Sequence, residues 1–594
     1  MTSHFSFLTR FYPMPKSQRG QFRRDLLPLT SLLCLLFTIS SCSTNHHREA
    51  DTIYYNGKII TMEGDELQYV EAVITYQDKI VKTGTLANLK KISAATIERI
   101  DLKGATMLPG FIEPHLHPLL ATILIQTEII AFNDWNLPNG LFPKARDQEE
   151  YIQRLDDAIE RSGNADELFI TWGYHELYHG DINRKMLDKR YPDRPVLIWQ
   201  YSFHEVILNS AAVAFLNIDQ EKAGLHHQVN LEEGRFFERG NQYFVAPKLF
   251  PIVLSPNRAI KGIQLTAKAI QDGGITTVAD MAMPLLNLDM ELNLVQQVLE
   301  KEDVPFRTFL IPMASSFAKT SEQLERAFET IDTLEKLNTN KIKFVKQIKL
   351  MADGAFYAQL MQMAEPYTDG HEGEWLTEPE EFKKYAAFFW EKEYRIHVHA
   401  NGDKGVEMVL NTLEELLESK PKTGHRFTLH HLGYVREDQI DRMAKLGVHA
   451  SIQPYYLYGI GSKYADTGLG KKRAQRISPV GSLIERDIIT CFHSDFFMAP
   501  VAPLMLMWVA VNRKTMDGQT FGAELRVSPW EALKAVTINA AYHLNQEDII
   551  GSIQAGKKAD FVILEENPLD VDPEMIKDIE ILGTVYEGRR FFSN

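Results

Sequence analysis

Met107–Pro118 reads MLPGFIEPHLHP, an apolar run that closes on two histidines one residue apart. Side chains in a β-strand alternate between faces, so His115 and His117 point the same way. At the carboxyl end of a strand, two such imidazoles form a two-nitrogen clamp for a metal ion. An isolated His-x-His is a weak motif, and two surface histidines beside prolines are its commoner origin. This pair gains weight from the runs further along the chain.

Seven more apolar, β-branched runs come after it: GGITTVADM, PFRTFLIPM, KFVKQIKLMADG, YRIHVHANGD, RFTLHHLG, VHASIQPYY and DIITCFHSD. Helical patterns such as 320–338 and 403–419 separate some of them. Strands alternating with helices predict an α/β chain with a parallel sheet, and about eight such units predict a closed (β/α)8 TIM-like barrel. Both ends of the chain alternate in strand fashion instead, with TIYYNGKIITM near the start and ADFVIL and ILGTVYEGRRFF near the finish. A small β-sandwich built from 51–108 and 546–594 is therefore expected, around a barrel over 109–545. The stretch 131–258 fits no βα unit and reads as an insertion or lid.

The chain has 594 residues and a formal net charge of −15, with 44% hydrophobic and 24% charged residues. That balance argues against disorder and against a polytopic membrane protein. An acidic surface without a Lys/Arg stripe repels phosphate backbones, so no nucleic-acid partner is expected. Three cysteines, Cys34, Cys42 and Cys491, are too few for a disulfide framework or a thiolate zinc site. Arg10, Lys16, Arg19, Arg23 and Arg24 precede the apolar run Leu26–Ile39. That run is shorter than the ~20 residues a spanning helix needs, and it fits a signal peptide over 1–41. Ile39-Ser40-Ser41-Cys42 resembles the bacterial lipobox, whose cysteine is lipidated and becomes the mature N-terminus. Ser43 in place of Asp resembles lipoproteins that pass on to the outer membrane, and 42–50 reads as a polar tether. The expected location is the bacterial cell envelope, with the membrane touched only through the lipid.

Lys349 in IKLMADG, His399 in HVHANGD, His431 closing TLHH and Asp495 in FHSD each fall at the end of a β-like run. Catalytic groups of (β/α)8 barrels gather there. Taken in order, with the closing GS-x-x-x-GK-x-ADFVIL, they resemble the amidohydrolase superfamily and within it the YtcJ-like (amidohydrolase 3) family. The resemblance spans about residues 52–590. It implies a metal-dependent hydrolase that cleaves a non-peptide C–N bond of a small-molecule substrate (an amide, formamide or cyclic amide) with metal-activated water. It implies His115, His117, Lys349, His399, His431 and Asp495 as metal ligands, with Asp495 also catalytic as the group that takes and returns a proton. Imidazoles and carboxylates suit a divalent ion, zinc first, as one or two ions. An ammonium cannot ligate a cation, so the resemblance implies a carboxylated lysine at Lys349, bridging two metals. An ordinary surface lysine is the alternative. His204, in HEVILNSAA with Asn209-Ser210, resembles the family's substrate-pocket element; a buried capping histidine is the rival.

Several neighbours are expected to be structural. His397 shares a face with His399 but lies one layer deeper. His430 and His431 alternate in direction, so only one is expected to reach the barrel axis; the resemblance implies that this is His431 and leaves His430 structural. His493, on the same strand face as Asp495, either assists it or is satisfied in the core, and the second is favoured. His175–His179 reads HELYH, matching the zinc-protease pattern HExxH, which requires a helix. The lead-in LFITWGY and the next residues, Gly180-Asp181, predict a loop there. After Asp353-Gly354 the run AFYAQLMQM departs from the family's small and hydroxylic residues. Phe356, Tyr357, Leu360 and Met361 make the barrel mouth more apolar or pack in a helix core. A catalytically inactive envelope binding lipoprotein is the rival from another class, against which all six ligand positions are filled. Homo-oligomerisation stays open.

Cys42→Ser is expected to abolish fatty-acid labelling and shift the protein from membrane to soluble fractions. Continued labelling of that variant would refute the lipobox reading.

Overall fold

Each apolar run read as a strand forms one, and the reason is visible in its burial. The strands Phe111–Leu116, Ile275–Met283 and Arg307–Pro312 are buried at every position, as befits parallel strands covered on both faces. Phe111–Leu116, Ile275–Met283, Arg307–Pro312 and the short Ile342–Phe344 form one parallel arc. Gln347–Met351, Arg395–Ala400, Thr428–His431, His449–Ile452 and Thr490–Phe492 form a second. Single parallel bridges from Met313 to Lys349 and from Leu116 to Phe496 span the gaps between the arcs, with no continuous ladder at either place. The architecture is α/β and TIM-barrel-like. With the short Ile342–Phe344 and the adjoining Gln347–Met351 counted as one position, Phe111–Leu116 is the first strand, Gln347–Met351 the fourth and Thr490–Phe492 the eighth. The structure is a computed structural model that describes residues 51–92, 97–164 and 166–592. The leader, Cys42 and the tether lie outside them.

Helices cover the arcs with apolar stripes. Asp403–Ser419 buries Val406, Val409, Leu410, Leu413 and Leu416, the i, i+3, i+4 spacing of one helical face. Gly110 opens the first strand, and a Cβ there would stand 2.2 Å from Thr276 Oγ1. Only glycine lets the first and second strands begin this close together.

Strands between 52 and 109 and between 561 and 592 meet in one sheet of eight strands, in which Thr106–Pro109 pairs with Phe561–Leu564. Five strands of the insertion and Glu128–Ile129 just before it form a separate six-stranded sheet, in which Phe169–Tyr174 and Val196–Gln200 pair in parallel. Among the described residues no helix is long and apolar enough to cross a membrane. The terminal sheet is tied to the parallel strands by Arg307, which donates to Asp560 Oδ2 at 2.6 Å and to Thr277 Oγ1 at 2.9 Å. Arg307 is buried at 6% exposure and Asp560 at 6%, so removing one partner strands a charge in the core.

Arg307→Ala is therefore expected to cost about 3–5 kcal/mol, and Arg307→Met with Asp560→Leu to recover most of it. Denaturant midpoints check this, and an Arg307→Ala variant as stable as wild type would contradict it.

Candidate metal centre

Strand ends deliver the polar side chains to one place. The first strand brings His115 and, one residue past its end, His117; the second brings Asp280, the fourth Lys349, the fifth His399 and the sixth His431. Asp495 lies just beyond the eighth strand, and its backbone N–H donates to the His115 carbonyl at 3.1 Å. Three atoms converge most closely. His115 Nε2 is 3.3 Å from His117 Nε2, and Asp495 Oδ1 stands 3.5 Å from the first and 3.1 Å from the second. Ligand atoms about 2.1 Å from one ion at tetrahedral angles stand about 3.4 Å apart. The triangle has that size. His431 Nδ1 lies 3.9 Å from Asp495 Oδ2, and the rings of His399 and His431 are 4.3 Å apart. Lys349 Nζ and His431 Nε2 are buried without a hydrogen-bond partner. The imidazole nitrogens of His115, His117 and His431 with the Asp495 carboxylate are a donor set that suits a divalent cation.

The electrostatics agree with that reading. Burial, and then the charge of Lys349 and the neighbouring rings, holds His115 and His430 well below the ordinary histidine range. His431 is held down by burial, then by His399 and Lys349. Burial takes His399 to about 3, with Lys349 assisting. These rings are neutral at physiological pH and keep a lone pair for a metal. His117 is the exception. Burial would lower it, but the facing carboxylates of Asp280, 3.6 Å away, and Asp495, 3.1 Å away, outweigh that and raise it to about 9. Burial alone would raise Asp495, yet the neighbouring His117 ring and its charge bring it below the usual carboxylate range. The proton on His117 thus sits in a field that draws positive charge. Lys349 is pushed down to about 7 by burial, against the pull of Asp495. Glu113 is pushed up to about 8 by burial. It accepts from Ser494 N–H at 3.0 Å and Ser494 Oγ at 2.7 Å, fixing the start of the Asp495 turn.

All six expected ligands are brought to this region, although His399 Nε2 faces Asn401 Nδ2 at 2.9 Å. His204 pairs with Glu238 at 3.0 Å; burial opposes its charge, and the Glu238 carboxylate outweighs burial and raises it. Three expectations need correction. His430 does reach the interior beside His431, and its Nδ1 lies 2.8 Å from His115 Nδ1. Strand alternation fails there because His431 adopts φ 77° and Leu432 φ 48°, breaking the pleat. His493 is not satisfied: neither ring nitrogen makes a hydrogen bond, and the ring stacks on His115 at 4.5 Å. His175–His179 is not a loop, since Glu176–His179 forms one helical turn capped by His175. It is still no zinc site. His175 meets Leu177 N–H and the Tyr357 carbonyl, and His179 meets His175 N–H and the Ala145 carbonyl, so every ring nitrogen is engaged by main chain. His397 lies one layer down, 3.0 Å from His430.

The run after Asp353-Gly354 makes only a short 3-10 turn, Phe356–Ala358. Phe356 stacks on Tyr456 at 4.1 Å, and the Tyr456 hydroxyl lies 3.4 Å from His431 Nδ1. Buried Asp353 anchors the turn by accepting from the backbone N–H groups of Gln362, Asn401 and Gly402. Asp280 was not among the expected residues, although it stands near the end of GGITTVADM as the other ligands do in their runs. His543, on the helix Ile538–His543, packs 4.7 Å from His397, and no sequence signal marks it.

A family model described as Amidohydrolase family matches residues 98–592. YtcJ of Bacillus subtilis is 27% identical over 550 residues, covering 90% of this chain and 98% of that protein. N-substituted formamide deformylase of Arthrobacter pascens is 22% identical over 563 residues, covering 91% of this chain and 97% of its own. Among solved structures, an uncharacterized metal-dependent hydrolase from Pyrococcus horikoshii has a TM-score of 0.66 at 22% identity, over 88% of this chain and 99% of that one.

His115→Ala and His117→Ala are each expected to remove bound metal and activity while leaving the circular-dichroism spectrum unchanged. Full metal content in both variants would contradict the assignment.

Proposed function

The chain belongs to the Amidohydrolase family, and we propose that it is a divalent-metal hydrolase that uses activated water to cleave a non-peptide C–N bond of a small molecule. The carrying observation is the triangle of His115 Nε2, His117 Nε2 and Asp495 Oδ1 at 3.1–3.5 Å. His115, His117, His399, His431 and Asp495 would hold the metal, zinc first. When bound, such an ion supplies Lewis acidity toward the scissile carbonyl and makes water a usable nucleophile near neutral pH. Asp495, kept ionised beside His117, takes the proton from the attacking water and hands it to the departing nitrogen. The buried walls around Phe356 and Tyr456 exclude bulk water from that exchange. The amide, formamide or cyclic-amide class follows from the family, and the name of the Arthrobacter pascens relative favours a formamide. His204, held by Glu238, would line the substrate pocket, as the resemblance to the family implies.

Lys349 in this reading carries a carboxyl group. Its Nζ is buried and unpartnered, and burial lowers it to about 7, so a neutral amine is available to attack CO₂. The new N–C bond would form as a C=O π pair moves onto oxygen and the amine proton passes to water, leaving an anionic carbamate that would join the residues holding the metal. The two parallel arcs would then act as one closed eight-stranded barrel over 109–545, with the terminal segments as its β-sandwich. The lipid on Cys42 would hold the enzyme in the bacterial envelope.

Metal analysis and a panel of N-formyl and N-acyl compounds test the proposal together. Wild type is expected to hold one or two divalent ions and to hydrolyse members of the panel. Lys349→Arg and Lys349→Ala are both expected to lose metal and turnover, with Lys349→Glu retaining some metal. Near-wild-type turnover in Lys349→Arg would refute the bridging role.

A further inference from the structure

One layer beneath the triangle, four side chains from four strands are joined end to end. His115 Nδ1 is 2.8 Å from His430 Nδ1, and His430 Nε2 is 3.0 Å from His397 Nδ1. His397 Nε2 is 3.0 Å from Gln347 Oε1, and Gln347 Nε2 donates to the Leu544 carbonyl at 3.1 Å. These residues belong to the first, sixth, fifth and fourth strands, so the chain crosses the interior beneath the metal position. The nitrogen–nitrogen separations of 2.8 and 3.0 Å fit N–H···N hydrogen bonds. They are shorter than the ~3.4 Å expected between co-ligands of one tetrahedral ion.

We propose that Gln347, His397 and His430 are positioning residues: a one-way hydrogen-bond chain that fixes the tautomer of His115 and aims its Nε2 lone pair at the metal position. The direction is set at the far end. A main-chain carbonyl only accepts, so the Gln347 amide nitrogen must face Leu544 and its oxygen must face His397. His397 then donates through Nε2 and accepts at Nδ1, because a neutral imidazole carries one of each. His430 in turn donates through Nε2 and accepts at Nδ1. His115 is left to donate through Nδ1, which puts its lone pair on Nε2, the atom in the triangle. Neither His397 nor His430 has a carboxylate among its hydrogen-bond partners, so nothing in the chain favours a second proton on either ring. Packing keeps the rings from swinging out. His543 lies 4.7 Å from His397 and 5.0 Å from His430, and His493 is stacked on His115.

This inference rests on His115 being a metal ligand, and the experiment separates the two claims. Zinc affinity is measured by chelator competition in the full chain and in His115→Ala, His397→Leu, His430→Leu, His430→Gln and Gln347→Leu. Loss of the partner that orients a metal-binding histidine weakens affinity about 10–100-fold, and that is the expected effect of His397→Leu and His430→Leu. His430→Gln keeps an acceptor for His115 Nδ1 and is expected to restore most of the affinity, which a purely space-filling role would not do. If His430→Leu does not fold, Gln347→Leu reads the same chain from a residue that touches no expected ligand. Wild-type affinity in His397→Leu and Gln347→Leu, with His115→Ala metal-free, overturns the chain and leaves the metal site standing. Metal retained in His115→Ala overturns the metal reading, and the chain with it. Nitrogen-15 spectra of histidine-labelled protein give the direction: protons on His115 Nδ1, His430 Nε2 and His397 Nε2 are expected, and the reverse set would contradict it.

Discussion

Packing His115, His431 and Asp495, all buried, against the half-buried His117 is the constraint the rest of the structure answers to. A lone ionised group taken out of water costs several kcal/mol even after relaxation, so such a cluster persists only when its charges are compensated. Compensation here is layered. Asp495 faces His117, His117 faces Asp280, and Glu113 is held by the Ser494 turn. The remaining rings are kept neutral by burial and by Lys349. Parallel strands make this arrangement feasible because each ends at the same face of the sheet and contributes its last inward side chain there.

The same constraint explains where the backbone departs from regularity. His431 and Asp495 both take left-handed conformations, at φ 77° and 54°. A histidine in that region is strained by roughly 1–3 kcal/mol, a cost that persists only where surrounding contacts fix the geometry. Those contacts are present: the Asp495 N–H donates to the His115 carbonyl, and Leu432 N–H donates to the Ala400 carbonyl. Strain, burial and ligand geometry thus fall on the same residues. Far from them, Arg307 and Asp560 hold the terminal sheet on the strands that carry the site.

Much of this was legible in the sequence because the strand-ending motifs carry both fold and chemistry. MLPGFIEPHLHP, IKLMADG, HVHANGD, TLHH and FHSD mark the strand ends and their polar residues together. Alternation put His397 and His399 on one strand face, and distance from the strand's carboxyl end put His397 a layer deeper, where it meets His430. Alternation failed at His430 and His431, because the positive φ of His431 is a tertiary effect that a two-residue pattern cannot contain. The helical turn at Glu176–His179 was missed since Gly180 and Asp181 signal a break, and a one-turn helix fits before them. Asp280 could have been found by applying the strand-end rule to GGITTVADM. His543 could not, because a helix far along the chain brings it beneath the fifth and sixth strands.

The central claim is that a divalent ion belongs among His115, His117 and Asp495. Anomalous diffraction from zinc-loaded crystals, recorded above and below the zinc absorption edge, tests it most directly. A peak is predicted about 2.0–2.2 Å from His115 Nε2 and His117 Nε2, beside the Asp495 carboxylate. A zinc peak confined to other residues, with none between these three side chains, would contradict it.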